Sequence, residues 1–376
     1  MTIHWCGTGL STVPGLRRLI LDGHGVTVWN RTVDKAQAAV GDLTDAIRPF
    51  DMADLTAALS PGDVVVSMLP ADHHVPLATA AIDAGAHFVS SSYIAPEMRA
   101  LDSAAHEAGV AVVNEIGLDP GIDHLFAHDL MRDYHTDATF DPANQLHFLS
   151  YCGGVPAVAN EFRYKFSWSP LGVLKALRSP SRSLKNGQVR DVARPWDALS
   201  TFEAPLPRPE TFEVYPNRDS LPFLAEYGFD PAWDTRDFVR GTLRLGGWSD
   251  AWRPIFTEVE TASEDRLWEM SSQLWADHSY GDGEADRVVM VVDLRAARDG
   301  RDVYHKTWVM DAHGDSRGSA MSRLVSQPVA RAVEGVAAGT FPPGVQAAPS
   351  GKDAVDDFIA LVRENAQHVD RVDRLA

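Results

Sequence analysis

From Met1 to about Glu115 the chain alternates short apolar runs with amphipathic segments, and this rhythm restricts the fold more than any other feature. Strand-length runs rich in β-branched residues fall at Ile3–Cys6, Val26–Trp29, Asp63–Leu69, His87–Ser90 and Val110–Val113. Between them the spacing predicts helices over Val13–Asp22, Val33–Val40, Asp54–Leu59, Asp72–Ala84 and Pro96–Ala108. The last two repeat Ala, Leu and Ile at i, i+3 and i+4, and Gly23, Gly25, Gly85 and Gly109 stand where helices should stop. Parallel strands require crossover connections of helical length, so the pattern predicts an α/β fold with a parallel sheet covered on both faces.

The first turn carries Gly7-Thr8-Gly9, directly after a strand and directly before a helix. Two glycines there let backbone N–H groups approach a pyrophosphate, which then sits on the positive end of the helix. Thr12 stands where the usual fingerprint has its third glycine, and a plain strand-to-helix turn is the simpler alternative. Four further strand–helix alternations favour a Rossmann-type nicotinamide-cofactor site at Gly7, Gly9, Leu10 and Ser11. At the tip of the second run the chain reads Asn30-Arg31-Thr32, with no carboxylate before Asp34. An acidic residue there would select the ribose 2′-hydroxyl, whereas Arg31 and Thr32 suit a 2′-phosphate. NADP is therefore expected over NAD, which stays open; a solvated Arg31 is the alternative. Leu69-Pro70 and Ser90-Ser91-Ser92-Tyr93 end two further runs and would face the ligand crevice, although Ser90–Ser92 also reads as a cap for the Pro96 helix.

A length of 376 residues favours two domains or one large one, and 45% hydrophobic with 23% charged residues is an ordinary globular composition. The formal charge of −18 opposes binding to nucleic acid or an anionic membrane, so neither is an expected partner. Two cysteines, Cys6 and Cys152, are too few for a disulfide framework, and with no basic leader or bilayer-length apolar run a cytoplasmic location is expected.

After the fifth run comes Asn114-Glu115-Ile116-Gly117-Leu118-Asp119-Pro120-Gly121-Ile122-Asp123-His124, dense in turn formers and carrying three carboxylates besides. Here the chain resembles the saccharopine dehydrogenase family, and within it the glutamate-forming branch. The resemblance continues in order through Ser91–Ile94, Leu149–Gly154, Tyr164–Ser169, Tyr215–Ser220 and Arg240–Arg244, and so spans most of the chain. It implies reversible oxidation of saccharopine at its secondary amine, then hydrolysis of the imine to 2-aminoadipate 6-semialdehyde and glutamate, without a metal. The direction in the cell, lysine synthesis or degradation, is left open, as is a homodimer.

Carried onto this chain, the resemblance adds Leu69, Pro70 and Leu118 to the cofactor site and places substrate at Ser92, Tyr93, Asp119, Arg218, Thr242, Leu243 and Arg244. The two arginines suit a tricarboxylate in an acidic protein. Asp119, Tyr93 and Cys152 are the catalytic candidates for the acid–base work of imine hydrolysis, Asp119 first. Asp119 serves equally as a partner for substrate ammonium groups, the substrate's own amine is another proton carrier, and Cys152 also reads as a small buried hydrophobe. His124 and His128 share a helix face without suggesting a metal site, and His73-His74 read as the start of a helix.

Beyond Gly121 strand-like runs dominate, at Gln145–Tyr151, Glu161–Phe166, Thr211–Tyr215, Val239–Leu245, Arg287–Leu294 and Val303–Met310. They suggest an α+β domain with a mixed sheet over residues 120–324, Ala204–Pro209 as a connection and Trp248–Ser279 as a shortened helical insertion. Residues 1–119, rejoined by 325–376 through a helix at Val325–Ala338, would form the cofactor domain. Two other functions stay open: an imine reductase of the carboxynorspermidine synthase type, and a non-catalytic nucleotide-binding protein.

Overall fold

The computed structural model describes residues 1–376. Its first strands are β1 (Ile3–Cys6), β2 (Val26–Asn30), β3 (Ile47–Pro49), β4 (Val64–Ser67), β5 (His87–Ser90) and β6 (Ala111–Val113). They alternate with α1 (Val13–Leu21), α2 (Val33–Val40), α3 (Met52–Ala58), α4 (His74–Asp83), α5 (Pro96–Arg99) and α6 (Asp102–Ala108). β1 and β4 are wholly buried, which is why they read as unbroken apolar runs. β3 escapes sequence reading because Ile47-Arg48-Pro49 is short, partly exposed and at a sheet edge, where proline is tolerated. The single helix expected over Pro96–Ala108 is two, separated at Ala100-Leu101.

The chain continues through α7 (Ile122–Thr136), β7 (Gln145–Pro156), α8 (Pro170–Leu177), β8 (Ser181–Lys185), β9 (Gln188–Val192), β10 (Ser200–Ala204), β11 (Glu210–Pro216), α9 (Pro222–Glu226) and β12 (Asp234–Leu245). Then follow α10 (Trp248–Ala251), α11 (Arg253–Thr261), α12 (Glu264–His278), β13 (Asp286–Arg298), β14 (Arg301–His313), α13 (Ala320–Ala337), β15 (Gly344–Gln346), α14 (Lys352–Asn365) and β16 (His368–Asp373). The expected strand at Glu161–Phe166 is irregular, with only a bridge from Phe166 to Ser279. Its aromatic side chains fill a core instead. Ala204–Pro209 is a hairpin connection between β10 and β11, though Ala204 itself ends β10. The β8–β9 hairpin turns on Asn186-Gly187, both at positive φ, a recognised hairpin signal.

Two compact units result: Met1–Leu125 with Ser322–Val362, and Phe126–Met321 with Arg363–Ala376. The border thus falls at 125/126 rather than 119/120. The return to the first unit ends at Val362, because β16 pairs with β14 in the second sheet.

The first unit holds a seven-stranded sheet in the order β15-β6-β5-β4-β1-β2-β3, every pairing parallel. The strand order reverses between β1 and β4, the switch point outside which ligands bind in such sheets. One face is covered by a core in which Cys6, Val65, Phe88 and Val112 meet Leu77, Ala78 and Ala81 of α4. Gly15 of α1 lies against α13, since a Cβ there would overlap the Ser326 carbonyl, and its N–H donates to Ser326 Oγ at 2.8 Å.

The second unit holds a nine-stranded mixed sheet, ordered β10-β11-β12-β7-β13-β14-β16, with β8 and β9 attached to β12. β12 and β7 are parallel and the other pairs antiparallel. One face carries an aliphatic core of Val155, Phe212, Val214, Leu243, Val289 and Val291. A separate aromatic core gathers Tyr164, Phe166, Tyr215, Trp248 and Trp252 with α8, α11 and α12, so the Trp248–Ser279 segment is helix-rich as read.

Candidate functional site

In the first unit the expected cofactor residues all lie at the carboxyl edge of the parallel sheet. Gly7 directly follows β1 at φ +103°, and a Cβ on it would sit 2.8 Å from the Met68 carbonyl oxygen and 3.1 Å from Leu69 Cδ2. Only glycine passes so close to the end of β4. Gly9 faces open space and Leu10 is exposed, so the loop leading into the first turn of α1 is open to a ligand. No acidic side chain occupies that first turn. The Thr12 side chain folds back to donate to the Gly9 carbonyl at 2.9 Å. Thr8 Oγ1 is buried with no protein partner, a group that an oxygen-rich ligand would satisfy.

Asn30, at the tip of β2, was not singled out by sequence. Its Oδ1 accepts from the Thr8 N–H at 3.1 Å and its Nδ2 donates to the Thr32 carbonyl at 2.7 Å, tying the glycine turn to the Arg31-Thr32 turn. Arg31 is exposed and makes no hydrogen bond or ion pair, and Thr32 caps α2 without using its hydroxyl. Both are thereby available to a phosphate. These features fit NADP, whose pyrophosphate Gly7–Ser11 would hold and whose 2′-phosphate Arg31 and Thr32 would hold.

The segment after β5 is fixed from several sides. Ser90 Oγ accepts from the Ser92 N–H at 3.1 Å, the Glu115 N–H donates to the Ser92 carbonyl at 3.0 Å, and the Ile94 N–H donates to Glu115 Oε1 at 2.8 Å. Glu115 adopts φ +51°, rare for a residue with a side chain, and its Oε2 lies 3.0 Å from His124 Nε2. This frame brings the Tyr93 hydroxyl to Asp119, donating to Oδ1 at 3.0 Å. Asp119 precedes Pro120 in a cis bond within a turn closed by Gly117 N–H to the Pro120 carbonyl at 2.9 Å. Leu118 is buried in the same turn. Tyr93, Ser92 and Asp119 are thus neighbours in space although 26 residues separate Tyr93 from Asp119.

Two more polar groups at this edge, His74 and Asn114, are not among the site residues expected from sequence. His74 bridges Ser67 and Ser92, with both oxygens 2.7 Å from ring nitrogens, and burial holds its pKa down at about 4. Asn114, 1% exposed, leaves both amide atoms unpartnered. The signal for each was a polar residue at a strand end or a helix start beside the crevice.

In the second unit, strand register brings two of the substrate candidates, Thr242 and Arg244, to one face. Cys152 of β7 lies opposite Thr242 of β12, and Arg244 shares Thr242's face two residues on. Asn217 Nδ2 donates to Thr242 Oγ1 at 2.8 Å, which leaves the threonine hydrogen to point elsewhere. Arg244, 5% exposed, lies over the rings of Tyr164, Trp248 and Tyr215 at 4.9, 5.4 and 5.6 Å. It has no carboxylate partner: Glu213, opposite it in register, accepts instead from the N–H groups of Gly247 and Ser249. Leu243 points to the other face, into the aliphatic core, so only its main chain remains for a ligand. Arg218 lies in a turn at φ +52° with its side chain exposed, and the adjacent Asp219 pairs with Arg182 at 3.2 Å.

Two family models cover nearly the whole chain: the saccharopine dehydrogenase NADP binding domain over residues 7–113 and the saccharopine dehydrogenase C-terminal domain over 117–366. The chain belongs to the saccharopine dehydrogenase family. Among curated members of that family it is 41% identical over 249 residues to the NADP(+), L-glutamate-forming saccharopine dehydrogenase of Pyricularia oryzae, covering 64% of this chain and 54% of that one. The Saccharomyces cerevisiae enzyme of the same name is 37% identical over 252 residues, 65% of this chain and 55% of that one. The chain therefore spans about half the length of the curated relatives it matches. A solved apo structure of the L-Glu-forming saccharopine dehydrogenase from S. cerevisiae superposes with TM-score 0.81 at 27% identity, covering 99% of both chains.

Proposed function

We propose that the protein is an NADP-dependent saccharopine dehydrogenase of the glutamate-forming type, converting saccharopine, NADP+ and water to 2-aminoadipate 6-semialdehyde, glutamate and NADPH, reversibly. The observation that carries this reading is the Tyr93–Asp119 pair at the carboxyl edge of the sheet, in a family whose named relatives perform that reaction. The cofactor, when bound, would supply the hydride acceptor for the carbon on the secondary amine that becomes the aldehyde. Arg244 binds one substrate carboxylate, because a buried guanidinium that lacks an acidic partner is completed by one. The Thr242 hydroxyl, whose oxygen is already engaged by Asn217, donates to the same class of group. Arg218, exposed on its turn, serves a second carboxylate.

Hydrolysis of the imine then needs a proton acceptor for the attacking water and a donor for the departing glutamate amine. Asp119 takes the first role, with one oxygen held by the Tyr93 hydroxyl, and Tyr93 is placed to return a proton. Cys152 lines the Thr242 and Arg244 face, and its buried position suits packing beside the substrate. No helix is long and apolar enough to cross a membrane.

The test is a spectrophotometric assay of the purified protein at alkaline pH with saccharopine and NADP+ or NAD+, and in reverse with semialdehyde and glutamate or a diamine. NADPH formation from saccharopine, and glutamate-dependent NADPH oxidation, are expected. No turnover with either cofactor, or a diamine serving as well as glutamate, would refute the reading.

A further inference from the structure

The buried imidazole of His74 has no place in the steps above, yet it joins Ser67 at the end of β4 to Ser92 in the segment that also carries Tyr93. It sits at the first residue of α4, 5% exposed, with Ser67 Oγ 2.7 Å from Nδ1 and Ser92 Oγ 2.7 Å from Nε2. A neutral imidazole has one donor nitrogen and one acceptor nitrogen, so the two serine hydroxyls cannot play the same part. Ser67 decides which plays which. It is fully buried, and its hydroxyl makes no other hydrogen bond. Leaving that O–H without an acceptor would be costly, so it donates to Nδ1. The proton of the ring then resides on Nε2 and is donated to Ser92 Oγ.

We propose that His74 is a positioning residue that turns Ser92 into an obligatory hydrogen-bond donor toward an anionic group of the substrate, a carboxylate in the reading above, on which this inference rests. With its oxygen occupied by Nε2–H, and with Ser92 itself only half-buried, the Ser92 hydroxyl hydrogen points away from His74. Burial keeps the ring neutral through the working pH range, so this polarity does not reverse. Were the tautomer the opposite, Ser92 would give its hydrogen to Nε2 and offer only lone pairs, which suit an ammonium and repel a carboxylate.

The two hydrogen bonds separate by substitution, because an asparagine amide reaches the Nδ1 position of a histidine and a glutamine amide the Nε2 position. His74→Asn keeps the contact to Ser67 and loses that to Ser92; His74→Gln keeps a donor to Ser92. His74→Asn should raise the KM for saccharopine about tenfold with the KM for NADP+ within twofold, whereas His74→Gln restores it to within about threefold. In a Ser92→Ala background, His74→Asn should add nothing further, since the histidine acts through that hydroxyl. Equal losses in both variants, or full additivity with Ser92→Ala, would show that His74 only secures the start of α4 and would overturn the proposal. The ring tautomer gives a readout independent of turnover: 15N NMR of the full-length protein should show Nε2 protonated and Nδ1 bare from pH 6 to 9. A proton on Nδ1 refutes the inference even in a fully active enzyme. Wild-type inactivity on saccharopine with Nε2 protonated would instead place the failure in the assigned substrate.

Discussion

Replacing Arg244 with methionine separates what this residue does for the fold from what it does for a ligand. Three aromatic rings within 5.6 Å and one bond to the Leu243 carbonyl at 3.2 Å are all that compensate the buried guanidinium. A cation over an aromatic face contributes about 0.5–2 kcal/mol, while burying an ion without a counter-charge costs several kcal/mol. Methionine removes both, fills much of the same volume, and makes sulfur–aromatic contacts of about 0.3–1.5 kcal/mol. These effects nearly cancel, so the melting temperature of Arg244→Met should stay within a few degrees of wild type. Substrate binding should not survive so well: losing a desolvated arginine–carboxylate pair costs about 3–5 kcal/mol, or at least a hundredfold in the KM for saccharopine. The assay pairs scanning calorimetry of the unliganded protein with initial rates over saccharopine concentration at saturating NADP+. A melting point lowered by more than about ten degrees with the KM for saccharopine unchanged would refute the reasoning, because Arg244 would then be a structural cation.

Three further outcomes follow from the geometry. Arg31→Ala should raise the KM for NADP+ about tenfold or more and leave that for NAD+ within twofold, because the exposed guanidinium has no protein partner to lose; equal effects in steady-state assays would make Arg31 a plain loop residue. Gly15→Ala forces a methyl group into the Ser326 backbone, with Ser326 Cβ only 2.9 Å away, and should cost about 2–3 kcal/mol, read as a drop of several degrees in melting temperature. Burial holds His74 neutral in the folded state at a pKa of about 4, below the ordinary imidazole value of about 6.5, so the unfolded chain binds the extra proton between those values. Its contribution is complete above pH 6.5 and falls by about 3 kcal/mol as pH drops toward 4; chemical denaturation should show a shallower acid slope in His74→Gln than in wild type.

The parallel sheet was legible because each of its long strands is buried on both faces and each crossover is a helix, so the hydrophobic pattern repeats with little ambiguity. β3 and β15 were not, being three-residue edge strands, and β15 also pairs with β6 from far back in the chain. The segment Glu161–Phe166 misled because aromatic residues serve strands and irregular cores alike, and here Tyr164 and Phe166 fill a core. Gly7, Gly9, Arg31 and Thr32 could be named because a local turn and the helix after it create the phosphate site. Asn30, which ties those two turns together, could not, since its partners at Thr8 and Thr32 become neighbours only when β1 and β2 pair.

The order of local patterns along the chain is therefore enough to settle a doubly wound first unit, a mixed sheet in the second and the family to which the residues belong. Which side chains work together is settled only by folding. Tyr93 meets Asp119 because the ends of β5 and β6 lie side by side. Thr242 and Arg244 share a face with Cys152, while Leu243 is turned into the core, because strand side chains alternate and the β7–β12 register is in place. His74 is a helix-start residue by sequence, and only the closeness of Ser67 and Ser92 gives its two nitrogens opposite tasks. Spacing along a chain carries local geometry; hydrogen-bond polarity and charge compensation depend on groups brought together from far apart, and so belong to the tertiary structure.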